Sequence, residues 1–107
     1  MVPICLFVYN RLSSTQKTVE ALEKNILASE SQLFIFSDGP KTVADEEKVQ
    51  EVRSLIKSID GFKSIEIIVR KENRGLANSV IDGVTRLTKD YGQIIVFEDD
   101  LISSPYT

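Results

Sequence analysis

Four short apolar runs recur along the chain at residues 3–9 (PICLFVY), 33–36 (LFIF), 65–69 (IEIIV) and 94–97 (IIVF). Each is too short for a typical helix and rich in β-branched and aromatic residues, the signature of a buried strand. Between them the apolar spacing changes to that of a helix. Val19, Leu22 and Ile26 recur at i, i+3 and i+7; Val49, Val52, Leu55, Ile56 and Ile59 make a second stripe, and Leu76, Val80, Val84 and Leu87 a third. The order β-α-β-α-β-α-β predicts an α/β fold, a parallel sheet with right-handed crossovers and helices on both faces. Glu66 inside the third run predicts a half-exposed edge strand, and the expected strand order is 3-2-1-4.

The connections carry matching punctuation. Ser13 and Gln16 have capping-box spacing, Ser37-Asp38-Gly39-Pro40 is a breaker cluster, and Thr42 or Asp45 suits the start of the second helix. Gly61 and Gly92 are expected to end helices, and Asn73 to cap the third. Gly83, inside that helix, costs about 1 kcal/mol relative to alanine and therefore predicts close packing there.

Composition removes whole classes of function. With 107 residues the chain suits one domain. Its 13 Lys+Arg against 16 Asp+Glu, a net charge of −3, leave no basic footprint for a nucleic acid. The absence of histidine excludes imidazole bases, Ser-His-Asp triads and His-ligated zinc. One cysteine, Cys5, permits neither a disulfide framework nor a CxxC site; it suits a reducing cytoplasm and is expected to be a small buried hydrophobe. No apolar run nears the ~20 residues of a membrane span, so a cytoplasmic protein, or a domain of a larger one, is expected. Neither GxGxxG nor GxxxxGK[ST] occurs, which removes the dinucleotide fingerprint and the P-loop.

In open parallel sheets, ligands bind beyond the carboxyl ends of the strands, where the strand order reverses. Each run here ends in polar residues: Asn10-Arg11, Ser37-Asp38-Gly39, the stretch from Arg70 to Arg74, and Glu98-Asp99-Asp100. With strands one and four adjacent, Arg11 and the acidic triplet flank one crevice. Carboxylates without His or Cys suit Mg²⁺ or Mn²⁺, and a bound cation would relieve the repulsion among three consecutive acids. A solvated acidic turn is the alternative, less favoured at this position. Asp38 suits either a hydrogen bond to a ribose or base, or an ordinary turn. Arg11 suits a phosphate, a base or an ion pair with the triplet; Arg74 suits an anion at a helix N-terminus or a plain surface position. Asn78 suits an exposed amide.

Taken together, PICLFVYNR, FSDGP, ENRGLANSVIDGV and IIVFEDDLISSPY resemble the nucleotide-sugar-binding, N-terminal half of a GT-A-fold glycosyltransferase, a Rossmann-like three-layer sandwich. The stretch Asn73-x-Gly75-x-Ala77-Asn78 resembles bacterial family-2 enzymes, and EDD resembles the N-acetylglucosaminyltransferase I group, where it stands in for DxD. The resemblance implies nucleotide-sugar contacts from Asn10, Arg11, Asp38, Arg74, Glu98 and Asp99. Arg11 and Asp38 would meet the base, Asp99 the ribose and Glu98 the sugar, while Asp100 would be the protein ligand of a Mn²⁺ or Mg²⁺ on the diphosphate. It implies transfer from a nucleoside diphosphate-sugar, with uridine as base, to a hydroxyl acceptor in a cell-surface glycan, at the cytoplasmic side of the membrane. Against such enzymes the acceptor half and the catalytic base are expected to be missing from residues 1–107, leaving a chain that binds donor weakly, is inactive alone and self-associates through apolar surface. Two other readings are weighed against it. A nucleotidyltransferase would want a Gly-rich basic loop after strand one, which NRLSS is not. A Mg²⁺-binding receiver-like domain would carry its acids after the first strand.

Overall fold

The computed structural model describes residues 3–24 and 28–98. Four strands, β1 (Ile4–Val8), β2 (Gln32–Ser37), β3 (Ser64–Val69) and β4 (Ile95–Glu98), alternate with helices α1 (Leu12–Glu23), α2 (Val43–Ile56) and α3 (Leu76–Tyr91). All pairings are parallel, in the order β3-β2-β1-β4. This is the α/β, Rossmann-like three-layer arrangement that the alternating periods predict.

The layers follow from the side-chain alternation of β1 and β2, both buried on two faces. Ile4, Leu6, Val8, Leu33 and Ile35 point to one side and pack with Val19 and Leu22 of α1 and Val52 and Ile56 of α2. Cys5, Phe7, Phe34 and Phe36 point to the other and pack with Leu87 of α3. Burial pushes the Cys5 thiol up to about 12, so it is an inert core group as expected. β3 alternates exposed and half-buried residues, as an edge strand should. Ile95 and Val96 of the other edge, β4, are exposed.

Three local expectations are corrected. Helix α2 ends at Ile56 with Lys57 as its C-cap, so Gly61 lies in the loop beyond it and does not end the helix. Helix α1 starts at Leu12, with Arg11 as the N-cap and no side-chain cap. Ser13 is therefore already inside the first turn and cannot close a capping box; Gln16 instead donates to Glu20 at 3.4 Å. Helix α3 turns Ser79, Gly83 and Leu87 to the sheet, whereas Leu76 is exposed and Val80 and Val84 are half-buried. The cause is Gly83. A Cβ there would lie 2.9 Å from Phe7 Cζ and 3.1 Å from Phe36 Cε2, so only glycine lets the helix axis settle directly above the Phe7–Phe36 stack, whose ring centroids are 5.1 Å apart. The helix rotates to centre on that contact and the apolar stripe moves off-centre. Ile26, counted in the α1 stripe, lies outside the described residues.

Candidate functional site

The carboxyl ends of β1, β2 and β4 and the start of α3 enclose a cavity of about 450 Å³. Its walls include Phe7, Tyr9, Asn10 and Arg11 from β1 and its exit, Phe36, Asp38 and Lys41 from β2 and its exit, and Glu98 from the end of β4. Asn73, Gly75, Leu76 and Ser79 close it from the β3–α3 side. Parallel pairing sets Glu98 level with Phe7, one residue short of the point where β1 ends at Val8. Asn10, Arg11, Asp38 and Glu98 are thus brought to one crevice, as expected. Asp99 and Asp100 lie outside the described residues. Among the described residues no group of three or more His, Cys, Asp or Glu side chains is placed to hold a metal ion.

Asp38 is buried and its carboxylate is fully engaged. Oδ1 accepts from the Gly39 and Arg74 backbone N–H groups, both at 2.9 Å. Oδ2 accepts from the Gly75 N–H at 3.1 Å and from Asn73 Nδ2 at 3.2 Å. Asn73 also donates to the Gly39 carbonyl at 2.9 Å, so it is not the helix cap; Gly75 takes that place. The loop between β3 and α3 is therefore hung from β2 by one carboxylate and one amide. Arg53 of α2 completes the join. It donates through Nε to Ser37 Oγ (3.0 Å) and through Nη2 to the carbonyls of Asp38 (3.1 Å) and Arg70 (2.8 Å). Burial draws its guanidinium below the usual value while the Asp38 charge opposes that shift.

A second hub fixes the β1 exit. Asp45, in the first turn of α2, accepts from Tyr9 Oη at 2.9 Å, Asn10 Nδ2 at 3.0 Å and Thr42 Oγ1 at 3.2 Å. Tyr9 Oη in turn accepts from the Lys41 N–H at 3.0 Å. Asn10 borders the cavity, but its amide nitrogen is tied to Asp45. The Tyr9 and Asn10 bonds hold the Asp45 carboxyl below the usual carboxylate value. Burial, and then the bond to Asp45 and the charges of Asp45 and Asp38, raise the Tyr9 phenol against an opposing bond from Lys41.

The signs of these shifts give a two-sided pH dependence. The contribution of Asp45 is present above its unfolded value near ~4 and is lost as pH falls through its lower folded value. That of Tyr9 is present below its unfolded value near ~10 and is lost as pH rises through its higher folded value. Amide chemical shifts of residues 9–11 are expected to move together at both extremes and to stay level between them. Asp45→Asn is expected to remove the acid limb; an acid limb that survives in that variant would contradict the assignment.

Arg74 stands apart from the cavity walls. Its guanidinium pairs with Asp82 at 3.0 Å on the exposed side of α3, a type of contact worth little. Asn78, exposed as expected, donates to the Arg74 carbonyl at 2.9 Å. Arg53, Tyr9 and Ser79 were not singled out by sequence, and Asp45 was expected only at the start of α2, not as a partner of Tyr9 and Asn10. Arg53 left a signal, a cation directly beside the buried Val52 of the α2 stripe; the Tyr9–Asp45 contact spans 36 positions and left none.

The model of the family described as Glycosyl transferase family 2 matches residues 4–107, and the chain belongs to that family. No curated protein and no solved structure matches it. The family match favours a glycosyltransferase domain over the receiver-like and nucleotidyltransferase readings, and the sheet order is consistent with it.

Proposed function

We propose that residues 1–107 form the donor-binding side of a metal-dependent glycosyltransferase that uses a UDP-sugar and transfers the sugar to a hydroxyl of a surface glycan on the cytoplasmic side of the membrane. The observation that carries this reading is the cavity at the strand ends, walled by Arg11, Asp38 and Glu98 in a family-2 chain. No helix among the described residues is long and apolar enough to cross a membrane.

The walls divide by chemistry. Phe7, Phe36, Tyr9 and Leu76 offer apolar and aromatic surface suited to a base. Arg11 and Lys41, both exposed at the rim, offer cations suited to a diphosphate. Glu98, at the end of β4, borders the cavity and would meet the sugar, a role drawn from the family likeness of EDD. Arg74 would reach the nucleotide only by leaving Asp82. The donor set that follows β4 is made of carboxylates alone, which fits Mn²⁺ or Mg²⁺. Asp100 would hold the ion, and Asp99 would approach the ribose, roles drawn from the likeness of EDD to the N-acetylglucosaminyltransferase I group. When bound, the ion would neutralise charge on the departing nucleoside diphosphate. The chain's own share is to fix the base between aromatic walls, to hold the diphosphate at the cationic rim and to keep both loops in register through Asp38, Arg53 and Asp45.

Calorimetric titration with UDP, GDP and CMP, with and without Mn²⁺, tests the reading. UDP is expected to bind in a metal-dependent way. Perturbing a ligand's outer-shell partner already costs ~10–100-fold in metal affinity, so Asp100→Asn is expected to cost at least as much. Binding that ignores both the metal and Asp100→Asn would contradict the site.

A further inference from the structure

Two buried hydroxyls among the described residues have no hydrogen-bond partner, Thr15 Oγ1 and Ser79 Oγ. Thr15 does not border the cavity; Ser79 does, and it is only 6% exposed. A buried hydroxyl without a partner costs stability, whereas an alanine in the same space would not. Ser79 lies one turn before Gly83 on the sheet-facing side of α3. Gly83 holds the helix against the Phe7–Phe36 stack, so Ser79 meets the sheet where the strands end and the cavity opens. Its own N–H is satisfied by the Gly75 carbonyl at 3.0 Å, which leaves the hydroxyl as the group in want of a partner.

The walls beside it decide the kind of partner. Phe7, Phe36 and Leu76 form an apolar lining that a phosphate would have to be desolvated to enter, while the cations of the site, Arg11 and Lys41, stand at the exposed rim. A flat, uncharged group with a hydrogen-bonding edge suits this part of the cavity. We infer that Ser79 Oγ is a hydrogen-bonding contact for the nucleoside part of the donor, unpaired in the free protein and paired when the nucleoside enters. The inference rests on the donor-binding reading given above.

Ser79→Ala separates this role from a structural one because the two readouts move in opposite senses. Uridine, guanosine and cytidine and their 5′-diphosphates are titrated, with Mn²⁺ present, into the wild-type chain and the variant, and the Tm of each free protein is measured. For each nucleoside that the wild type binds, Ser79→Ala is expected to weaken binding about 3- to 10-fold, by the same factor for the nucleoside and its diphosphate. The Tm of the free variant is expected to be unchanged or raised by about 2–5 °C. Equal affinity in variant and wild type would overturn the inference while leaving the donor site intact. A loss confined to the diphosphates would overturn it by moving the contact to the phosphates. A fall in the free Tm would make Ser79 a structural residue. A wild-type chain that binds none of the probes would end the donor-binding reading itself, and this inference with it.

Discussion

Asp38→Ala is expected to destabilise the protein by about 3–5 kcal/mol, measured by chemical denaturation. The carboxylate accepts hydrogen bonds from three backbone N–H groups and from Asn73 Nδ2. Truncation leaves those donors without their acceptor, one in a buried and three in part-buried positions, and each unsatisfied buried donor costs about 1–3 kcal/mol. A loss of that size is a large part of the ~5–15 kcal/mol that holds a typical domain together. Asp38→Asn is the informative control. Its single oxygen keeps the partners of one carboxylate oxygen, while its NH₂ is set against donors on the other side, so an intermediate loss of about 2 kcal/mol is expected. A change within about 0.5 kcal/mol for both variants, the range of an ordinary surface position, would show that the loop does not depend on Asp38.

Gly39→Ala is expected to cost about 3 kcal/mol, at the upper end for overpacking, and to open the cavity on its β3–α3 side. A Cβ at this position would lie 2.5 Å from the Glu72 carbonyl carbon, 2.6 Å from the Lys71 oxygen and 2.7 Å from the Glu72 oxygen. All three are backbone atoms, so no side chain can swing aside to make room. The loops after β2 and β3 would have to part, which strains the bonds from Asn73 Nδ2 to the Gly39 carbonyl and from the Arg74 and Gly75 N–H groups to Asp38. Denaturation midpoint and UDP affinity are expected to fall together. A Gly39→Ala variant with wild-type stability would contradict the close approach of the two loops.

These two residues also mark the limit of what the sequence makes legible. Short runs rich in apolar β-formers locate every strand, unbroken in β1 and β2, which are buried on both faces, and still legible in the edge strands β3 and β4; 33–36 became Gln32–Ser37 and 94–97 became Ile95–Glu98. Period also places Val49, Val52, Ile56 and Ile59 in the core. In α3 it holds for Leu87, which is in the core, and for Val80, which packs against it, but not for Leu76, which is exposed, because Gly83 makes the close contact with the Phe7–Phe36 stack. The position of the cavity follows from topology, since the strand ends of a parallel sheet converge there.

What the side chains do inside the cavity is less visible. Asp38 looks equally suited to a turn or to a ligand from its neighbours in sequence; its partners Arg74 and Gly75 lie 36 and 37 positions away. The Asp45 hub and the Arg53 clamp are likewise long-range polar contacts, which impose no period on the chain. Asn10 illustrates the same limit, because its amide nitrogen is taken by Asp45 rather than left to face the cavity alone.

On the reading proposed above, the crevice at the carboxyl ends of β1, β2 and β4 receives the nucleotide with its metal ion. An amide NMR titration of the wild-type chain with UDP, first with Mg²⁺ and then with trace Mn²⁺, tests it directly. UDP is expected to shift residues 9–11, 38–39 and 73–79, and Mn²⁺ to broaden Glu98 and Arg11 in the presence of UDP. Shifts and broadening confined to the opposite, amino-terminal ends of the strands, around Pro3, Ser31 and Lys63, would contradict it.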